Sequence, residues 1–150
     1  MPAPYEAELT RLITTSLDSE VATTKPNVCT NGPAPKFQVC VEAVAGTLIG
    51  NSCLPYTLHL CAIDECKAAP NEEMSKSITD QTFSPNHGWK PYGCQGKFVK
   101  KECFVITVPN LDRCRVFRYI ATLCDKQGKI ATFIHSAPFI LVPRHAGGGC

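Results

Sequence analysis

Apolar and polar positions change their period once along this chain. Tyr5, Leu9, Leu12, Ile13 and Leu17 recur at helical spacing and fall on one stripe of residues 4–18. Pro4 suits a first turn, and Glu6 and Glu8 complement the positive end of a helix dipole. The pattern predicts a short N-terminal α-helix, packed on its own domain or docked in a partner's groove. Thr23-Thr24-Lys25-Pro26 and Asn31-Gly32-Pro33-Ala34-Pro35 then read as a breaker-rich linker.

From Phe37 the period becomes two. Phe37, Val39, Val41 and Ala43 alternate with Gln38, Cys40 and Glu42, which predicts a half-buried strand. A second strand over 56–63 places Tyr56, Leu58, Leu60 and Ala62 on one face. Residues 97–108 carry Phe98 and the β-forming run Phe104-Val105-Ile106-Thr107-Val108. Residues 115–123 and 129–135 read as a hairpin joined by Asp125-Lys126-Gln127-Gly128, with Gly128 where the loop requires positive φ. Phe139-Ile140-Leu141-Val142, bounded by Pro138 and Pro143, closes the sheet as an edge. Short strands, turn signals and no long helix after residue 18 predict an all-β fold, an immunoglobulin-like β-sandwich with a short N-terminal α-helix. The expected division is 1–26 for helix and linker, 27–144 for the sandwich and 145–150 for a flexible tail.

Residues 65–96 interrupt this order. Roughly thirty residues without a clear strand are long for a connection in a compact domain. A short helix is expected near Asn71-Glu72-Glu73-Met74. The segment ends in Asn86-His87-Gly88-Trp89-Lys90-Pro91-Tyr92-Gly93-Cys94, which holds the only Trp of the chain. Trp and Tyr offer large contact area at low entropic cost, so His87, Trp89, Lys90 and Tyr92 of loop 86–93 form the candidate partner-binding site. The competing reading has Trp89 plugging one end of the sandwich.

Ten cysteines in 150 residues, with twelve Pro and ten Gly, are the unusual feature of the composition. Cys29, Cys40, Cys53, Cys61, Cys66, Cys94, Cys103, Cys114 and Cys124 are disulfide candidates, several of them in turn-like surroundings where a free thiol invites oxidation. Their spacing does not fix a connectivity. No Cys-x-x-Cys occurs, and the histidines do not flank cysteine pairs at zinc spacing, so no metal site and no cofactor are expected. Cysteine usage favours an extracellular, secreted setting. Against it, Met1-Pro2-Ala3-Pro4-Tyr5-Glu6 leads into no basic and apolar leader, so secretion requires one already removed, and an intracellular setting with reduced thiols stays open.

The remaining composition narrows the function classes. With 44% hydrophobic and 19% charged residues the chain is not disordered. No apolar run approaches the roughly 18 residues of a membrane span. Formal charge is +2, from 15 Lys+Arg against 13 Asp+Glu, too little for a strong polyanion field. Arg113, Arg115, Arg118, Lys126, Lys129, Arg144 and His145 bias the C-terminal third towards basic, and Lys97, Lys100 and Lys101 add to it. Strand alternation puts Arg115 with Phe117 but Arg118 on the opposite face with Val116, which disperses the cluster.

Catalytic signals are sparse. Gly50-Asn51-Ser52-Cys53-Leu54 departs from the nucleophile elbow at its last position. Cys53 or Cys94 with His59, His87, His135 or His145 would supply a Cys–His dyad, but no spacing selects a pair. The expectation is therefore a non-catalytic, disulfide-stabilised interaction module that binds a protein partner through loop 86–93. Two alternatives stay open: an intracellular immunoglobulin-like domain with reduced cysteines that binds nucleic acid, and a small hydrolase of unknown chemistry.

Overall fold

The computed structural model describes residues 4–93, 96–127 and 131–143, and these are dominated by strands. In chain order they form β1 (Ala7–Ser16), β2 (Val28–Cys29), β3 (Gly32–Pro33), β4 (Lys36–Ala45), β5 (Pro55–Asp64) and β6 (Ala69–Thr82). A 3-10 turn (Pro85–His87) follows, then β7 (Lys90–Tyr92), β8 (Lys97–Thr107), β9 (Arg115–Asp125), β10 (Ala131–His135) and β11 (Phe139–Leu141). One antiparallel sheet has the order β1-β4-β8-β7. The other runs β10-β9-β5-β6, with β11 taking over the same flank of β9 beyond β10. A minor ribbon joins β2 to β3.

Alternation explains how the two sheets share one core. On β4 the buried set is Phe37, Val39, Val41, Ala43 and Ala45; on β5 it is Tyr56, Leu58, Leu60 and Ala62; on β9 it is Phe117, Tyr119, Ala121 and Leu123. Successive side chains point to opposite faces of a strand, so each of these strands offers a continuous apolar face. Burying each large side chain contributes about 1.5–3 kcal/mol. Phe139 of β11 joins the two layers, with its ring 5.6 Å from Phe37 and stacked 5.5 Å from Tyr119. Burial pushes ionisation of the Tyr119 hydroxyl far above its ordinary range, reinforced by nearby Cys61, and that hydroxyl donates to the Met74 carbonyl at 3.0 Å. Asp64 is buried at the end of β5, where it pairs with Arg115 at 3.0 Å and accepts the Cys66 and Lys67 backbone N–H groups.

The expected N-terminal helix is replaced by β1. Its residues pair with β4 from Ala7↔Ala45 to Ser16↔Phe37, with a bulge between Leu9 and Arg11. The extra residue, Thr10, converts inward spacings of two into the series Ala7, Leu9, Leu12, Thr14. That single step of three imitates a helical stripe, while Ile13, Thr14 and Thr15 supply the β-branched chains a strand prefers. Segment 7–16 is thus a strand of the first sheet, and its Leu9 N–H reaches the Thr132 hydroxyl of β10 across the sandwich flank.

The expected gap over 65–96 is also filled. β6 extends β5 on the outer flank of the second sheet, interrupted by two register shifts. Residues 72–75 bulge opposite Cys61, and 79–80 bulge opposite Thr57. The first bulge stands where a short helix was expected. Asn71 Oδ1 accepts the Met74 N–H, the Ser75 hydroxyl donates to the Asn71 carbonyl, and Met74 is turned into the core. The predicted strands at 37–43, 56–63, 97–108 and 115–123 coincide with β4, β5, β8 and β9. Gly128, Lys129 and the tail at 145–150 lie outside the described residues.

Candidate functional site

Loop 86–93 is organised by an inward excursion. Ser84 is extended, Pro85 opens the 3-10 turn, and Gly88 ends it at φ 88°, a conformation that costs a residue with a Cβ. The chain then drives Trp89 into the core, where it is 0% exposed. Its ring lies 5.1 Å from Phe83 and meets Tyr56 edge-on at 6.1 Å, and the indole N–H donates to the Tyr56 hydroxyl at 3.2 Å. Trp89 therefore closes one end of the sandwich and offers no surface to a partner. The sequence signal was a large ring in a Gly/Pro loop, and such a ring suits a plug as well as a contact.

The other candidate residues have different surroundings. His87 is half-buried and accepts the Thr82 N–H on Nδ1 at 2.8 Å, while its carbonyl receives the Lys100 ammonium. Lys90 and Tyr92 are exposed on β7, which pairs with β8 through Lys90↔Val99 and Tyr92↔Lys97. Tyr92 is 58% exposed, and the Lys97 ammonium stands 5.1 Å from its ring. Gly96, at φ 71°, lets the turn before β8 approach Thr47, whose Cγ2 would lie 2.4 Å from an added Cβ.

Register places Lys90, Tyr92, Lys97, Val99 and Lys101 on the outer face of the first sheet, beside Val44 and Glu42 of β4. These residues line a cavity of about 640 Å³. Lysines 97 and 101 were visible in the sequence only as a diffuse basic bias; pairing with β7 and β4 is what gathers them. Arg11 faces Glu42 at 3.6 Å and Lys101 faces Glu20 at 3.5 Å, so carboxylates edge the basic groove. Lys100 points the other way. Its side chain is 9% exposed, and its ammonium bonds the Tyr56 hydroxyl at 3.2 Å and faces Glu102 at 3.5 Å. It pins β8 to the Trp89 plug.

The cysteines divide. Cys40 and Cys103 stand directly opposite each other on β4 and β8 and are joined by a disulfide. Cys29 is disulfide-bonded as well. Cys53, Cys61, Cys66, Cys114 and Cys124, all disulfide candidates by sequence, are free thiols. Cys61 and Cys124 face outward from adjacent strands β5 and β9 at different heights, paired with Ile120 and Thr57 and not with each other. Cys94 lies outside the described residues. His59 meets Ser77 at 2.8 Å on the exposed face of the second sheet, and Cys53 adopts φ 58° in an exposed turn. Among the described residues no cluster of His, Cys, Asp and Glu is assembled for a metal, and no helix is long and apolar enough to cross a membrane.

No protein-family model matches this chain, and no curated protein matches it. Among solved structures, it is similar to the crystal structure of a Bordetella pertussis protein designated ApaA, at 12% identity and a TM-score of 0.33, over 95% of this chain and 98% of that one. A likeness of that size carries no argument about function.

Proposed function

We propose that this chain is a non-catalytic β-sandwich interaction module that engages a protein partner through the exposed part of loop 86–93, centred on Lys90 and Tyr92. The observation that carries this reading is the exposed Tyr92 ring, held on a short paired strand beside Lys97 and above a cavity of about 640 Å³. A rigid amphipathic ring loses little entropy on contact, which is why such residues anchor interfaces. The buried Trp89 serves the same surface indirectly by fixing the strand that bears Lys90 and Tyr92.

Two further features support the setting of that reading. The order β1-β4-β8-β7 against β10-β9-β5-β6 matches an immunoglobulin-like A-B-E-D against G-F-C-C′ arrangement. The Cys40–Cys103 bond is of the kind retained in an oxidising compartment, which favours an extracellular location.

Selection of peptides from a displayed random library on the intact chain tests the reading. Enriched peptides are expected to lose binding to the Tyr92→Ala and Lys90→Ala variants. Failure to enrich any peptide, or peptides indifferent to both substitutions, overturns it.

A further inference from the structure

We infer that the groove on β4, β7 and β8 selects an extended acidic polypeptide segment, with carboxylates on alternate residues. This rests on the interaction reading above and specifies the chemistry of its partner. Lys97, Val99 and Lys101 succeed one another on the outer face of β8, and Lys90 stands opposite Val99 on β7. At about 3.3 Å per strand residue, Lys97 and Lys101 are separated by roughly 13 Å. An extended ligand presents residues i, i+2 and i+4 on one side over the same span, so carboxylates at i and i+4 meet the two lysines. The residue between them lies over Val99 and within reach of Lys90. Tyr92 closes the end of the row beside Lys97, where its ring offers apolar area to the ligand's backbone.

Charge sets the class of ligand. The lysines of the lining that face outward are Lys90, Lys97 and Lys101, with Lys100 turned inward; its one carboxylate, Glu42, already faces Arg11, and Lys101 faces Glu20 at the rim, an exposed pair that a ligand carboxylate exchanges. A phosphate backbone tracking across the sheet would need many more basic contacts than the three outward lysines supply. The basic area is three lysines wide, which fits a short acidic segment. Pro91 gives β7 no N–H at its centre, so the ligand lies on the face of the sheet and does not add a strand to its edge.

The test is a titration of the intact chain with an acetylated Glu-Ser-Glu-Ser-Glu peptide, its Gln-Ser-Gln-Ser-Gln counterpart, a heparin pentasaccharide and a short single-stranded oligonucleotide. The acidic peptide is expected to bind at least tenfold more tightly than its Gln counterpart and to weaken as salt rises from 50 to 300 mM. Lys97→Gln and Lys101→Gln should each weaken it about two- to fivefold, in keeping with exposed charge pairs. Equal binding of the two peptides, or binding of heparin or oligonucleotide without the acidic peptide, overturns the inference. Library peptides that lack acidic residues but depend on Tyr92 would overturn it while leaving the interaction reading in place.

Discussion

Replacing Trp89 with Ala separates a structural plug from a contact residue. The ring is fully buried between Phe83 and Tyr56, and its N–H has one protein acceptor, the Tyr56 hydroxyl. Removing a buried Trp side chain costs about 3–5 kcal/mol, from lost transfer energy and the cavity left behind. For a chain of this size each kcal/mol lowers Tm by about 2–4 °C, so the expected fall is roughly 6–20 °C. Tyr92→Ala, at an exposed site three residues on, should change stability by no more than about 0.5 kcal/mol. Urea unfolding followed by far-ultraviolet circular dichroism is the suitable assay, because the substitution removes the only tryptophan fluorophore. Acrylamide quenching of the unaltered chain gives an independent check, since a buried indole is protected. A loss below about 1 kcal/mol for Trp89→Ala, or unhindered quenching of Trp89, would refute the plug and return that ring to the candidate interface.

Three other substitutions examine the framework. Asp64→Ala leaves Arg115 without its buried partner and the Cys66 backbone N–H without its acceptor, while the Lys67 N–H keeps the Asp64 carbonyl; a loss of about 3–5 kcal/mol is expected in urea titrations, and an unchanged midpoint would contradict the buried pair. Cys40→Ala with Cys103→Ala releases a cross-link spanning a sequence separation of 63, which chain entropy values at ~4 kcal/mol; stability indifferent to this double change or to phosphine reduction would argue that the bond does not form. Tyr119 keeps its proton in the fold when the unfolded chain releases it near pH 10, so its contribution holds below about pH 10 and declines above it, by up to about 1.4 kcal/mol per pH unit. Tyr119→Phe should flatten the alkaline limb of the stability profile, and an unaltered limb would count against that assignment.

Sequence pattern revealed those strands whose alternation runs unbroken. β4, β5 and β9 read directly because each buries every second residue between polar or half-buried neighbours, apart from the buried, disulfide-bonded Cys40 of β4. β1 and β6 did not, and both carry register shifts. In β1 one extra residue produced a helical spacing. In β6 the polar run around Met74 and Ile78 hid a strand that needs few apolar residues because it flanks the sheet. The candidate site was half legible. Lys90 and Tyr92 lie where loop composition pointed, whereas Trp89 went inward and Lys97 and Lys101 joined them only through pairing that no local pattern encodes. The thiols show the same limit: the sequence offered Cys53, Cys66 and Cys114 as bridge candidates along with the others, but a bridge requires a partner across space, and β4–β8 register supplied one for Cys40.

The two irregularities of β6 bear on how this chain behaves at high concentration. A flat outermost strand would present an even ladder of amide and carbonyl groups to any passing chain, a template for runaway aggregation. At 72–75 and 79–80 the ladder is broken, and Glu72, Glu73, Lys76 and Asp80 stand exposed along it. Straightening that rim, by deleting bulge residues and exchanging its charges for valine, would turn a guarded border into a nucleus for fibres.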